Sequence, residues 1–148
     1  MTYRNGLRQG DGPGMLRVRR PIHAAALGRS AMRYDATVID PTVPPSGTGC
    51  VECDEVGGWW LHLRRCASCG HIGCCDNSPA QHATAHAAVT GHPVIRSFEP
   101  GEDWFWDYRT DSFMHGPPLA PPLHHPLDQP VPGPRGRVPA DWRSRLNP

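Results

Sequence analysis

The sequence lacks any long apolar run, and this absence removes whole classes of protein from consideration. No window of the chain approaches the roughly 20 apolar residues of a transmembrane helix. Residues 1–33 contain seven arginines and no apolar core of the kind that a secretory signal peptide needs. We therefore expect a cytoplasmic protein that does not span a membrane.

Lysine is also absent, so that all 15 basic side chains are arginines. These charges are unevenly spread. The net charge is +4 for residues 1–49 and +2 for residues 113–148, but −5 for residues 50–112, where four arginines face nine acids. A nucleic-acid-binding domain usually carries a basic face. The acidic middle makes nucleic acid an unfavoured ligand, although the arginines at 17–20 and 64–65 keep it as an alternative.

Proline is abundant, at 18 residues, and is concentrated toward the two ends. Residues 1–48 are predicted to be a disordered basic extension with a linker, and residues 113–148 a disordered proline-rich tail. Only residues 49–112 are predicted to fold. At about 60 residues, a hydrophobic core alone gives marginal stability, and metals often supply the deficit.

Within the folded part, the sequence predicts an α+β domain with a short antiparallel sheet and one main helix. Apolar and polar residues alternate over residues 59–64, a pattern typical of a half-buried strand. A helix is predicted for residues 79–90, with a Ser-Pro start and Gly91 just after its end. Residues 94–98 and 104–108 are predicted to form further strands.

The feature that dominates the sequence is a series of metal-ligand residues. Two Cys-x-x-Cys pairs, Cys50/Cys53 and Cys66/Cys69, precede Cys74, Cys75 and histidines at 82, 86 and 92. Thiolate and imidazole ligands suit tetrahedral zinc, and eight ligands make two closed sites that leave no position for catalysis. Three disulfides in a secreted protein are the alternative. Spacing alone leaves the pairing open between one site from both pairs and an interleaved arrangement.

The order of these residues closely resembles the UBP-type zinc finger, the ubiquitin-binding finger of some deubiquitinases and a histone deacetylase. The resemblance covers about residues 49–112. It is carried by both Cys-x-x-Cys pairs, the segment Ile72-Gly73-Cys74, His82-x3-His86, and Gly91-His92-Pro93-Val94. It implies the short, two-zinc form of the finger with interleaved sites. One zinc would be held by Cys50, Cys53, Cys74 and His82, and the other by Cys66, Cys69, His86 and His92.

The resemblance also implies a binding pocket. In the ubiquitin-binding members, an arginine and aromatic side chains receive a free C-terminal Gly-Gly carboxylate. Here Asp76 stands in the place of that arginine, while Trp104, Trp106 and Tyr108 remain as an aromatic wall. An anion repels a carboxylate and attracts a cation, so a cationic or amino-terminal peptide is the better match.

We therefore predict a non-catalytic zinc module that binds a protein or peptide, with a chain terminus as one candidate for the bound segment. Recognition of a ubiquitin tail is disfavoured by Asp76. A structural or regulatory accessory protein is the alternative, and a nucleic-acid-binding finger is less favoured. The sequence does not indicate an oligomeric state.

Overall fold

The computed structural model describes residues 34–148. The predicted basic extension over residues 1–33 lies outside this range. No helix among residues 34–148 is both long and apolar enough to cross a membrane.

Five short strands form one antiparallel sheet, and the sheet carries one main helix. The strands are β1 (Leu63–Cys66), β2 (Ile72–Cys74), β3 (Val94–Ser97), β4 (Phe105–Asp107) and β5 (Ser112–Met114), in the spatial order β2-β1-β3-β4-β5. Helix α1 spans Val51–Val56, α2 spans His82–Thr90, and a 3-10 turn spans Trp142–Arg145. The predicted α+β class, with a short antiparallel sheet and one main helix, is confirmed.

The main helix begins later than the sequence predicts. Ser78 does not cap it, because its buried hydroxyl accepts a hydrogen bond from the Leu61 N–H at 2.9 Å. The helix begins instead at His82, after Gln81 in a left-handed conformation. Its end is as predicted, since Gly91 has a φ of 73° and its N–H bonds the Ala87 carbonyl.

The first strand is also shifted relative to the alternating pattern of residues 59–64. Trp60 is buried, and its backbone exchanges two hydrogen bonds with Gly133, at 2.8 and 3.0 Å. The regular strand starts only at Leu63. The alternating pattern could not show that Trp60 pairs outside the regular strand, because its partner, Gly133, lies more than 70 residues away in the chain.

Two groups of buried residues make the core. The first surrounds one set of cysteines and includes Trp60, Leu63, Ile72 and Phe98. The second contains Val94 and Phe105 from the sheet and Ala67 just after β1, together with Ile39 and Leu119 from the flanking segments. The segments on both sides of the predicted domain therefore contribute apolar side chains to its core.

Residues 117–147, which we call the strap, pack against the sheet, and this differs from the predicted disordered tail. Leu119 and His125 are buried, and Arg65 and Arg96 each donate a hydrogen bond of 2.7 Å to a strap carbonyl, of Ala120 and Leu123. Proline lacks an N–H but keeps its carbonyl, so a proline-rich chain is bound well by donors of this kind.

The segment before the finger is anchored in the same manner. The Asp40 N–H bonds the Ala67 carbonyl at 2.8 Å, and the Ser46 N–H bonds the Gly70 carbonyl at 2.8 Å. The Arg65 guanidinium also donates to the Val43 carbonyl. Residues 34–48, predicted to belong to a disordered extension, thus follow the edge of the fold.

Candidate metal centre and binding cavity

The structure brings the eight predicted ligand residues together in two clusters. Cluster 1 consists of Cys50, Cys53, Cys74 and His82, and cluster 2 of Cys66, Cys69, His86 and His92. Within each cluster, one ligand atom per residue lies within 4.8 Å of all the others. The sets are interleaved along the chain, as the family resemblance implies, and the two Cys-x-x-Cys pairs do not share a site.

Cluster 1 is built by α1, the end of β2 and the start of α2. The Nδ1 atom of His82 lies 3.2, 3.4 and 3.5 Å from the sulfur atoms of Cys50, Cys53 and Cys74. The three cysteines are buried. One imidazole nitrogen therefore faces three sulfurs in an enclosed position.

Cluster 2 is built by the end of β1 and the turn that follows it, the second turn of α2, and His92, two residues before β3. The Cys69 sulfur lies 3.4 Å from His86 Nε2, and the Cys66 sulfur lies 3.6 Å from His92 Nδ1. Cys69 is exposed, whereas Cys66 is buried. The second site therefore lies closer to the surface than the first.

These separations fit zinc. Zinc bonds of about 2.3 Å to sulfur and about 2.05 Å to nitrogen give a sulfur–nitrogen edge of about 3.6 Å in a tetrahedron. The observed sulfur–nitrogen distances of 3.2 to 3.6 Å agree with that edge. The donor sets, three sulfurs with one nitrogen and two sulfurs with two nitrogens, are both typical of structural zinc. The prediction of two zinc sites is confirmed.

The protonation of the cysteines also points to a cation. In cluster 1, hydrogen bonds from the Cys50 and Cys53 thiols lower the pKa of Cys74 to about 2. In cluster 2, burial raises the pKa of Cys66 to about 11. Without a cation, Cys74 is thus a thiolate, whereas Cys66 and the Cys50 and Cys53 thiols that donate to Cys74 retain protons that a divalent metal must displace. This makes metal affinity fall as the pH falls.

Histidine protonation favours the same chemistry in cluster 2. Burial, followed by the nearby His71 and His92 rings, lowers the pKa of His86. A neutral imidazole keeps a nitrogen lone pair for a metal. The His71 ring is stacked on His86, with centroids 4.0 Å apart and planes 2° apart.

The sequence did not identify the residues that lie between the two clusters. His71 Nε2 lies 2.8 Å from Glu52 Oε1, and Glu52 Oε2 accepts a hydrogen bond of 3.6 Å from the Cys50 thiol. Glu52 and His71 therefore connect a residue of cluster 1 to the ring of His86. Their contact depends on α1, a helix that was not predicted.

All four residues predicted to bind a ligand lie around one cavity. Asp76, Trp104, Trp106 and Tyr108 line a space of about 160 Å³ on one face of the sheet. Sequence reasoning missed other lining residues, above all Arg64 and Phe113. The alternating pattern alone could not have identified Arg64, because only the pairing of β1 with β3 places it on the sheet face of the aromatic wall.

The cavity contains one charge of each sign. The Arg64 guanidinium lies over the Trp104 ring, 4.7 Å from its centroid. Asp76 Oδ1 accepts a 2.5 Å hydrogen bond from the Thr84 hydroxyl, which in turn lies 3.1 Å from the Tyr108 hydroxyl. Burial raises the pKa of Tyr108, which keeps that hydroxyl protonated as a donor.

Comparison with known proteins finds a family and a solved structure to which the chain is similar. A sequence model of the family described as "Zn-finger in ubiquitin-hydrolases and other protein" matches residues 50–119. The solution NMR structure of protein RPA1320 from Rhodopseudomonas palustris is 44% identical to the chain. This match covers 62% of the chain and 85% of that protein, with a TM-score of 0.48. No curated protein sequence matches the chain.

Proposed function

Because the chain belongs to the family of zinc fingers found in ubiquitin hydrolases and other proteins, we propose that it is a non-catalytic module that binds a protein partner. Its zinc ions would hold the sheet and α2 together, and the aromatic cavity would receive a segment of the partner. We also propose a cytoplasmic location, since six unpaired thiols suit a reducing compartment.

We assign the metal ligands to the two clusters described above. In this assignment every coordination position of each zinc is filled by a protein side chain, so that no position remains for a water or a substrate. His82 and His86 lie one turn apart on α2 and would bind different ions. The helix would thus be attached to the rest of the finger at two points.

The observation that carries the binding proposal is the aromatic cavity with Asp76 at its edge. Four aromatic side chains, those of Trp104, Trp106, Tyr108 and Phe113, supply apolar and π surface, and the carboxylate of Asp76 supplies a negative charge. A basic side chain or an amino terminus of a peptide combines with both features, through an ion pair and a cation–π contact. We propose this class of ligand.

A carboxylate ligand is the second candidate, and Arg64 favours it. Its guanidinium lines the same cavity, and a guanidinium can pair with a carboxylate through two parallel hydrogen bonds. Arg64 would then supply the positive charge that is absent at position 76. The two candidates therefore predict opposite roles for Arg64 and Asp76.

Calorimetric titration of the zinc-loaded chain distinguishes the two candidates. The peptides are one with an arginine near a free amino terminus, one ending in a free Gly-Gly carboxylate, and the amidated form of the second. We expect the first peptide to bind and Asp76→Asn to weaken its binding about tenfold. Asp128→Asn, which removes an exposed carboxylate of the strap, is the matched control and should have no effect.

The carboxylate candidate predicts a different pattern of binding. Tighter binding of the free Gly-Gly carboxylate than of its amide, lost in Arg64→Met but kept in Asp76→Asn, would establish the carboxylate ligand instead. If no peptide binds while both zinc ions are present, the cavity proposal is wrong and the accessory role remains.

A further inference from the structure

The two edge strands of the sheet differ in how far the rest of the protein covers them. At one edge, β2 is fully buried, α2 packs against it, and the Ile72 N–H bonds the Ser46 hydroxyl at 3.0 Å. At the other edge, Ser112 and Phe113 of β5 are exposed. Among residues 34–148, β4 is the only strand that pairs with β5.

An open edge strand normally carries features that prevent pairing with another chain. A very short strand, lysine, proline, a bulge or an inward-pointing charge are the usual ones. Residues 110–116, Thr-Asp-Ser-Phe-Met-His-Gly, include neither lysine nor proline, and β5 pairs with β4 in an unbroken register. The edge strand is only three residues long and Pro117 and Pro118 follow it closely, which are two of the usual protections, but no lysine, proline, bulge or charge lies within β5 itself.

The exposed side chain at the centre of this edge is aromatic. Phe113 is 68% exposed and makes edge-on contacts with Trp104 and Trp106, at centroid distances of 5.5 and 5.0 Å. The register places Ile95, Trp106 and Phe113 directly opposite one another on successive strands. Directly opposed residues share a face, so these three form a row that ends at Phe113 on the open edge.

We propose that two copies of this chain associate through β5, antiparallel and centred on Phe113, to give a continuous ten-stranded sheet. A two-fold axis at Phe113 brings the two Phe113 side chains together and extends the aromatic row across the interface. A second copy is the natural occupant, because the same patch serves both partners.

The charges beside β5 suit this pairing. An antiparallel strand pair centred on Phe113 sets Ser112 opposite Met114 of the second copy. It also brings Asp111, which lies in the turn before β5 with a φ of 51°, near His115 of the second copy, which directly follows β5. The two-fold axis repeats the Asp111–His115 pair at the other end. A carboxylate therefore faces an imidazole at both ends, and no like charges meet.

Sedimentation of the full, zinc-loaded chain over a range of concentrations tests this association. We expect a reversible monomer–dimer equilibrium that Phe113→Thr weakens at least tenfold, since threonine keeps the strand but removes the aromatic contact. Leu127→Thr is the matched control. It removes an apolar side chain that is 79% exposed on the strap, and it should leave the dimer unchanged.

Charge exchange tests the register. Asp111→Arg and His115→Glu should each weaken the dimer about tenfold, and the double variant D111R/H115E should restore it because opposite signs face each other again. Asp128→Arg makes the same change of charge away from β5 and should have no effect. Zinc content checks that every variant is folded.

A chain that stays monomeric at millimolar concentration would overturn the proposal. So would a dimer that is insensitive to both Phe113→Thr and the charge changes. Because sedimentation is done without a peptide, its outcome is independent of the peptide titration.

Discussion

At the scale of single residues, the adjacent cysteines Cys74 and Cys75 have different roles. Both are buried, but the sulfur of Cys74 faces His82 in cluster 1, whereas that of Cys75 lies 3.3 Å from the Ser78 hydroxyl. Cys74 ends β2 and Cys75 follows it directly, and neighbouring residues of an extended backbone point to opposite sides. Loss of the Cys74 thiol should therefore reduce zinc binding, whereas loss of the Cys75 thiol should not.

We expect Cys74→Ser to reduce the zinc content from two ions to one and to lower the unfolding temperature, because serine is a poor ligand for zinc. Cys75→Ser is the matched control and should retain two ions. Metal analysis of the purified variants measures this. Loss of zinc from the Cys75 variant, with two ions kept by the Cys74 variant, would exchange their assigned roles.

Glu99 connects the sheet to the strap. Its carboxylate accepts hydrogen bonds from the Leu63 N–H at 2.7 Å and from His125 Nε2 at 2.9 Å. Burial alone would raise the pKa of Glu99, but His62, the Leu63 N–H and His125 outweigh burial and lower it to about 2. The carboxylate thus contributes to stability in its ionised form.

The sign of the pH dependence follows from this lowered pKa. The contribution of Glu99 should be complete above pH of about 5 and be lost as the pH falls toward 2. We expect Glu99→Gln to lower the free energy of unfolding by about 2 kcal/mol at pH 7. The difference between the two proteins should shrink on acidification, which denaturant titration at several pH values measures. Zinc release in acid affects both proteins, so only their difference is informative.

At the scale of the elements, helix α2 depends on its close approach to β2. A Cβ atom at Gly73 would lie 2.6 Å from the Ala83 nitrogen and 2.8 Å from the Ala83 Cα atom. Both atoms belong to the helix backbone, which cannot move without moving His82. Glycine at this position therefore lets the helix bring its histidines to the clusters.

Gly73→Ala should displace α2 and destabilise the zinc-loaded chain by about 1–3 kcal/mol, the usual cost of overpacking. Thermal unfolding followed by circular dichroism measures this, together with zinc affinity by chelator competition. Gly47→Ala provides the comparison, because a Cβ atom there meets nothing within 4 Å. Equal stability of the two variants would show that the helix can adjust to the added methyl group.

The sequence predicts those elements whose signals are local. Gly91 marks the end of α2, and the apolar residues of β3 and β4 mark these strands, because the relevant contacts are near in sequence. Helix α1 was missed, since its six residues lie around Cys53 and have no apolar period long enough to detect. The start of α2 was misplaced because Ser78 bonds Leu61 instead of the helix.

The cavity and the strap depend on contacts that are distant in sequence. Trp104, Trp106 and Tyr108 could be identified from the family resemblance, but Arg64 reaches the same cavity only through the pairing of β1 with β3. The strap was predicted to be disordered because its prolines exclude regular structure. Its binding uses backbone carbonyls that accept hydrogen bonds from Arg65 and Arg96, and composition gives no sign of these contacts.

At the scale of the whole molecule, the zinc clusters and the strap stabilise the same small sheet from different sides. The clusters hold α1, α2 and the ends of β1 and β2. The strap covers Arg65 and Arg96, which are paired on neighbouring strands and buried. Since the strap binds side chains that only the folded sheet brings together, loss of zinc should expose these arginines as well.

Trypsin digestion tests this dependence, because its sites include both buried and exposed arginines. In the zinc-loaded chain we expect cleavage after the exposed Arg135 and none after Arg65 or Arg96. A chelator should open the two buried sites, while cleavage after Arg135 continues and serves as an internal control. Mass spectrometry of the fragments identifies the sites. Continued protection of Arg65 and Arg96 without zinc would mean that the strap and the core hold the sheet on their own, whereas joint exposure would show that sheet, strap and metal form one cooperative unit.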